Sequence, residues 1–282
     1  MPRLCLGLTL LFAMGASNGQ GIGAPLRFGL TPVFVDDQIS FLHDWQDYLG
    51  RRLNRPVTFV QRSTYQEITD MLLRGQLDAA WVCGYPYVRH RDRLQLVAVP
   101  LYHNRPLYRS YLIAHADDGS IQGWSDLEGK VFAYSDPDSN SGYLYPQYAM
   151  QQGGIDPQRI FRKVFFTFAH RNVVRAVAEG LADAGAVDGY VWDTLSQTHP
   201  ALTARTRVVA RSPRFGFPPI VARPRLSPLE TTQLRSALLG MASDPEGQGL
   251  LRRLNLDGFE GGEPGLFDSI HAMMAAVAPR SP

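Results

Sequence analysis

The stretch Ser135-Asp136-Pro137-Asp138-Ser139-Asn140-Ser141-Gly142 gathers hydroxyl and amide groups where a strand gives way to a helix. The first N–H groups of a helix have no intrahelical partner and sit at the positive end of its dipole. With the Ser139 and Ser141 hydroxyls and the Asn140 amide, they suit a phosphate-like oxyanion. A plainer reading has Ser139 or Ser141 act as a helix cap. Pro146 is compatible with a first turn, whose N–H groups are unpaired. The aspartates do not form a calcium loop: counted from Asp136, glycine falls at the seventh place instead of the sixth, and Gln147 stands where the bidentate Glu belongs.

Three further groups could face the same ligand. Cys83 lies just past a strand, in Trp81-Val82-Cys83-Gly84-Tyr85, with Tyr85 beside it. Strand ends of this kind line the clefts of α/β sheets. As a buried thiol Cys83 would be a small hydrophobe; near a helix N-terminus it could be a thiolate for a thiophilic ligand. His170 and Asp188 also end strands, where a His can donate to an anion and an Asp can accept from a protonated ligand oxygen. Their plainer roles are a helix cap and an exposed turn. Tyr65, just inside a capped helix, offers a phenol to the cleft or to the core. No GxSxG, HExxH or Walker loop occurs, and nothing nominates an orienting residue for a Cys83–His170 pair, so no enzyme, metal site or cofactor is expected.

These residues need elements that hold them. Leu26 to Leu30 reads as a strand, the apolar positions Leu42, Trp45, Tyr48 and Leu49 as one face of a helix, and Val57 to Val60 as a second strand. Thr64 with Glu67 forms a capping box for a helix that Gly75 closes, and Leu77 to Val82 is a third strand, giving β-α-β-α-β with a parallel sheet. Leu94 to Val99 and Leu107 to His115 follow as strands. The rhythm then repeats with strands Val131 to Tyr134, Val164 to Phe168 and Ala184 to Val187, and helices at Gly142 to Gln151, Asn172 to Glu179 and Tyr190 to Gln197. Strands at Thr206 to Ala210 and Ile220 to Ala222 precede a mostly helical end that begins at the Ser227-Pro228 cap. Two α/β units in tandem predict two lobes around a cleft, with hinges near 113–118 and 206–215.

Composition agrees with a globular chain. Of 282 residues 45% are hydrophobic and 19% charged, and 28 Lys+Arg against 26 Asp+Glu give +2, which supplies no strong field toward nucleic acid or an anionic membrane. Arg3 followed by the apolar run Leu4 to Met14 and a small-residue stretch is the order of a secretory signal peptide, too short to span a bilayer. Its removal takes Cys5 with it. Of 2 cysteines this leaves Cys83 alone, so a disulfide framework is excluded.

In this order the segments resemble the periplasmic binding proteins of the phosphate/phosphite/phosphonate ABC transporter family. Ser139-Asn140-Ser141-Gly142 after Asp136-Pro137 is similar to that family's D-P-x-S-T-S-G, with Asn140 in place of the Thr. The match continues through Asp78-Ala79-Ala80-Trp81 and the His170 and Asp188 strand ends. The resemblance implies a two-lobed, type II-like α/β binding-protein fold with residues 1–23 a signal peptide, 24–114 and 209–282 in lobe one, and 115–208 in lobe two. It implies Tyr65, Ser139, Asn140, Ser141, His170 and Asp188 as oxyanion ligands, with Cys83 and Tyr85 beside them. A monomeric periplasmic protein that delivers its oxyanion to an ABC permease follows. Because Cys83 stands where many members have glycine, the alternative is the arsenite-sensing branch, which uses a first-lobe cysteine and signals to a histidine kinase.

Overall fold

Apolar side chains on alternating or helical spacing fall on the inner faces of two sheets, and the chain crosses between those sheets twice. The computed structural model describes residues 24–32 and 39–277; the expected signal peptide lies outside them. The first unit runs β1 (Leu26–Leu30), α1 (Ile39–Leu53), β2 (Val57–Gln61), α2 (Tyr65–Leu73), β3 (Ala79–Trp81), α3 (Gly84–Arg89) and β4 (Gln95–Leu101). Strand β1 pairs in parallel with both β2 and β3, as the β-α-β-α-β pattern requires. The capping box is present at the start of α2: Thr64 Oγ1 accepts from Glu67 N at 3.2 Å and Glu67 Oε2 accepts from Thr64 N at 3.0 Å. Gly75, at φ +72, ends that helical stretch in a conformation that a side chain would strain.

Beyond β4 the chain crosses through β5 (Leu107–Tyr108) into β6 (Ser110–His115). It continues through β7 (Val131–Tyr134), a π-helical turn Asn140–Leu144 leading into α4 (Tyr145–Gln152), β8 (Lys163–Phe166), α5 (His170–Ala178), β9 (Ala184–Asp188), α6 (Gly189–Thr198), α7 (Pro200–Thr203) and β10 (Thr206–Arg211). It returns through β11 (Phe215–Gly216) to β12 (Ile220–Ala222), α8 (Pro228–Leu239), α9 (Pro245–Arg253), β13 (Gly258–Glu260) and α10 (Asp268–Val277).

The first sheet has the order β13-β4-β12-β3-β1-β2 and the second β10-β6-β9-β7-β8, while β5 and β11 form an antiparallel pair between them. This corrects two expectations. Leu107 to His115 is not one strand but two, in different sheets, and β6 belongs to the second sheet where residues to 114 were assigned to lobe one. The crossings therefore fall at 102–109 and 212–219, earlier and later respectively than 113–118 and 206–215. The reason is a choice of hydrogen-bond partner: β6 pairs antiparallel with β9 and β10, which an uninterrupted apolar run does not reveal.

Under the first sheet, Trp45 on α1 meets Trp81 edge-on at 5.9 Å between centroids, and Trp81 meets Phe259 of β13 at 6.1 Å. Trp45 is fully buried, and aromatic burial on this scale dominates core energetics. The C-terminal helices pack back on the first sheet's layer as expected, α8 and α9 against α1, and α10 against α3. Helix α10 also touches α4 of the second unit, so the end of the chain spans both.

Candidate functional site

Each expected site residue except one sits at a strand-to-helix junction on the faces where the two sheets meet. From the first unit come Tyr65, the first residue of α2, and Cys83, the residue preceding α3; both are buried. From the second come Ser139, Asn140 and Ser141 after β7, His170 at the start of α5, and Asp188 at the end of β9, all 0–1% exposed. The exception is Tyr85, the second residue of α3, which is half-buried, has the Arg89 guanidinium over its ring at 4.3 Å and reaches Cys83 through its backbone N–H.

Hydrogen-bonded contacts among the described residues tie the two faces together at the site. Tyr65 N donates to Asp136 Oδ2 at 3.1 Å, Asn140 N to Cys83 Sγ at 3.2 Å, and Asn140 Nδ2 to the Tyr108 phenol oxygen at 2.9 Å. At the edge, Arg89 Nη1 pairs with Asp138 Oδ1 at 2.7 Å. The Asn140 N–H, expected to face a ligand as a free helix-start donor, is thus taken by the thiol.

The serines divide the two roles proposed for them. Ser139 Oγ caps the turn, accepting from Gly142 N at 2.9 Å, which leaves its O–H to donate elsewhere. Among the described residues Ser141 Oγ has no hydrogen-bond partner, and neither have Ser135 Oγ, Asn140 Oδ1 and Tyr65 Oη. A buried polar atom left unpaired costs about 1–3 kcal/mol, so four of them in one cleft are poised for a ligand that supplies their bonds. Pro146 is the second residue of α4, in its first turn as expected, and follows directly on the π-helical turn. Lacking an N–H, it leaves carbonyls free, and Ser141 O accepts instead from Ser110 Oγ at 2.6 Å while Gly142 O accepts from Ser135 N at 3.4 Å. Helical turns of this wide kind are frequent at functional sites.

The opposite wall is built by a strained turn. Phe168 adopts φ +58, which is rare for a bulky side chain, with its N–H bonded to Ser135 O at 2.6 Å. That turn starts α5 at His170, whose Nδ1 accepts from Asp188 N at 3.0 Å, so the ring's proton resides on Nε2. Burial holds this imidazole down at about 3, hence neutral. Asp188 Oδ1 accepts from Tyr190 N at 2.8 Å, yet burial, only partly offset by the Tyr190 and Val191 N–H groups, pushes its carboxyl up to about 8. This shift favours the protonated carboxyl near neutral pH, a form that can donate through its O–H as well as accept. Burial likewise raises the Tyr65 and Tyr108 phenols, with Cys83 and Asp188 adding to it in both.

Cys83 is a thiol. Burial pushes it up to about 12 against the lowering effect of the Asn140 and Tyr85 N–H groups. With imidazole and thiol displaced in these directions, and each already engaged by a backbone N–H, His170 and Cys83 are the reverse of an activated nucleophile and base. The cleft is thus lined mainly by dipoles, namely hydroxyls, phenols, an amide and a neutral imidazole, together with the buried Asp136 and Asp188 carboxyls.

Tyr108, Ser110 and Ser135 complete the site and were not singled out from the sequence. Ser135 lay inside the informative stretch, one residue past the strand. Tyr108 and Ser110 were hidden within what read as a single strand.

Comparison with known proteins places this cleft in context. Residues 28–264 match the family described as ABC transporter, phosphonate, periplasmic substrate-binding protein. The chain is 29% identical over 158 residues to a phosphate-import protein of Mycolicibacterium smegmatis, 52% of this chain and 48% of that protein, so the match spans about half that relative's length. It is 27% identical over 243 residues to a phosphonates-binding periplasmic protein of Escherichia coli, 81% of this chain and 70% of that one. Among solved structures, PhnD1 from Prochlorococcus marinus in complex with methylphosphonate superposes with a TM-score of 0.79 at 20% identity, over 90% of this chain and 98% of that one. At that identity the likeness establishes the fold: a two-lobed α/β binding protein of the type II-like kind.

Proposed function

The chain belongs to the periplasmic substrate-binding proteins of phosphonate ABC transporters, and from that premise we propose that it traps a phosphonate, phosphite or phosphate-like oxyanion between its lobes and hands it to an ABC permease. The observation that carries this reading is the convergence of four unpaired buried polar atoms, Tyr65 Oη from one lobe and Ser135 Oγ, Asn140 Oδ1 and Ser141 Oγ from the other. Three of these are hydroxyls able to donate to ligand oxygens, and the neutral Asp188 and His170 add two more donors. A tetrahedral oxyanion satisfies donors on both lobes at once, so it binds the closed state more tightly than the open one and shifts the population toward closure. Export through the 1–23 segment and action as a monomer belong to the same proposal.

Selection in this account comes from aimed dipoles in a site of low dielectric, not from an ion pair. That favours small oxyanions with several acceptor oxygens, and the protonated Asp188 gives a donor to whichever oxygen carries charge. The arsenite alternative finds no support among the relatives. Trivalent arsenic binds thiolates, while Cys83 is a lone protonated thiol that accepts from Asn140 N.

Isothermal titration of the mature protein with methylphosphonate, phosphite, phosphate and arsenite tests the reading. One-to-one binding of at least one of the three phosphorus oxyanions is expected, retained in Cys83→Ser. Heat from arsenite alone, abolished in Cys83→Ser, would overturn it.

A further inference from the structure

Behind the cleft, on the hinge, lies a second hollow of about 270 Å³ bounded by both crossings and by the first turns of α6. Four arginines, Arg105, Arg109, Arg211 and Arg214, line it together with His103, and the one carboxylate among its walls is Asp193. Elsewhere arginines face carboxylates, as in Arg51–Glu246, Arg52–Asp244, Arg91–Asp268 and Arg253–Asp44. Among the described residues none of the four hinge arginines makes such a pair. Arg109 donates to the Ser212 carbonyl, and Arg211 lies over the Tyr111 ring at 5.0 Å. Asp193 is occupied as well: its Oδ2 accepts from both Tyr102 and Tyr111 phenols, each at 3.0 Å.

The hollow is built with some strain. The turn Tyr102–Arg105 closes by Tyr102 N to Arg105 O at 2.8 Å and Arg105 N to Tyr102 O at 3.2 Å, with His103 and Asn104 at φ +51 and +54. Such a turn usually calls for glycine or asparagine, and a His in it is uncommon. Asn104 N is anchored on Asp257 Oδ2 at 2.7 Å, and the His103 ring is held 4.1 Å from that of Tyr102. The turn and the opposite crossing thus bring four guanidinium groups to one concave surface, where Arg211 acts on Asp193 and the cations outnumber that carboxylate, an excess that an anion between them would offset.

We propose that this hollow is a second anion site, distinct from the cleft, that takes a compact polyanion of the pyrophosphate type. Its volume is at the small end for ligand sites, and guanidinium forks bind phosphoryl oxygens in pairs, which suits several charges packed in few atoms. Its walls come from both crossings, so an occupant ties the two hinge strands together. One wall residue, Tyr108, also reaches the cleft through Asn140.

The test is titration with pyrophosphate at about 10 mM salt, where charges interact over about 30 Å. Three proteins are compared: wild type, Arg105→Gln/Arg214→Gln, and the cleft variant Tyr65→Phe/Ser141→Ala. Arg105 and Arg214 are exposed, so their replacement leaves the fold intact. Wild type and the cleft variant are expected to bind pyrophosphate alike, and the arginine variant at least about tenfold more weakly. No binding by wild type, unchanged affinity in the arginine variant, or loss in the cleft variant would each overturn the proposal. The last two results leave the oxyanion titrations of the cleft readable, so this site and the transport reading fail separately.

Discussion

Replacing Gly142 by Ala is expected to lower oxyanion affinity by about ten- to a hundredfold and to destabilise the protein. A Cβ at this position would lie 1.9 Å from Ser135 Oγ, 2.7 Å from Ser135 Cβ and 3.1 Å from His170 Cε1. None of these neighbours is the far end of a flexible side chain. Ser135 is a short residue at the end of β7 whose carbonyl holds Phe168 N, and His170 is fixed by Asp188 N. Relief therefore requires the wide turn to move away from β7, which displaces Ser135 Oγ and Ser141 Oγ together. Overpacking of this sort costs roughly 1–3 kcal/mol in stability, and loss of two aligned donors costs a comparable amount in binding. Thermal melting with and without phosphite separates the two effects: the variant should melt a few degrees lower and show a much smaller upward shift on adding ligand. A variant that melts lower but keeps the full shift would place Gly142 outside the binding geometry.

The second large effect is a pH dependence fixed by Asp188 and His170. The Asp188 carboxyl is raised to about 8 in the folded protein, so the fold keeps a proton that the unfolded chain loses above its ordinary carboxylate value. The folded state then binds more protons than the unfolded one, and this contribution is lost as pH rises through the folded value. At about 1.4 kcal/mol per tenfold change in proton affinity, the loss between about pH 4 and pH 8 amounts to several kcal/mol at most. His170 acts at the other end. Held at about 3, it refuses a proton that the unfolded chain accepts, so its contribution is lost as pH falls below about 6.5 toward 3.

Binding follows the same group. Above about pH 8 Asp188 ionises, removing a donor and adding a negative charge beside the ligand. Phosphite affinity should then fall with rising pH, in a range where the ligand's own ionisation is complete. In Asp188→Asn the amide can still accept from Tyr190 N and donate to a ligand, so that decline should vanish and stability at pH 8 should rise. A decline of the same steepness in Asp188→Asn would assign the titration to another group.

These effects rest on residues of unequal legibility. The β-α-β-α-β opening was readable because its apolar spacing, the Thr64–Glu67 box and Gly75 are local signals that agree with one another. The placement of Ser139, Asn140, Ser141, His170 and Asp188 at or just after strand ends was readable, and strand ends are where such sheets meet ligands. The place of the crossings was not, since Leu107 to His115 is apolar throughout and its division between two sheets is decided by β9, β10 and β11, distant in sequence. The raised pKa of Asp188 was equally hidden, because it comes from burial that tertiary packing creates. Gly142 was read as a helix start; that it exists for the approach of Ser135 and His170 needs the packing of α5 against β9. The cation over the Tyr85 ring was not legible either, since Arg89 reaches it from the far end of α3.

The central claim is that unpaired polar atoms on both lobes hold the oxyanion. It is tested most directly by calorimetric titration of methylphosphonate, phosphite and phosphate into wild type and Tyr65→Phe/Ser141→Ala at pH 7. The two replacements remove one unpaired oxygen from each lobe and leave the capping bond of Ser139 in place. At about 1–3 kcal/mol for each lost bond, the affinity of whichever oxyanion wild type binds should fall by roughly thirtyfold or more, with melting temperature unchanged or raised. An oxyanion bound equally well by both proteins, or no binding of any of the three by wild type, would contradict the account.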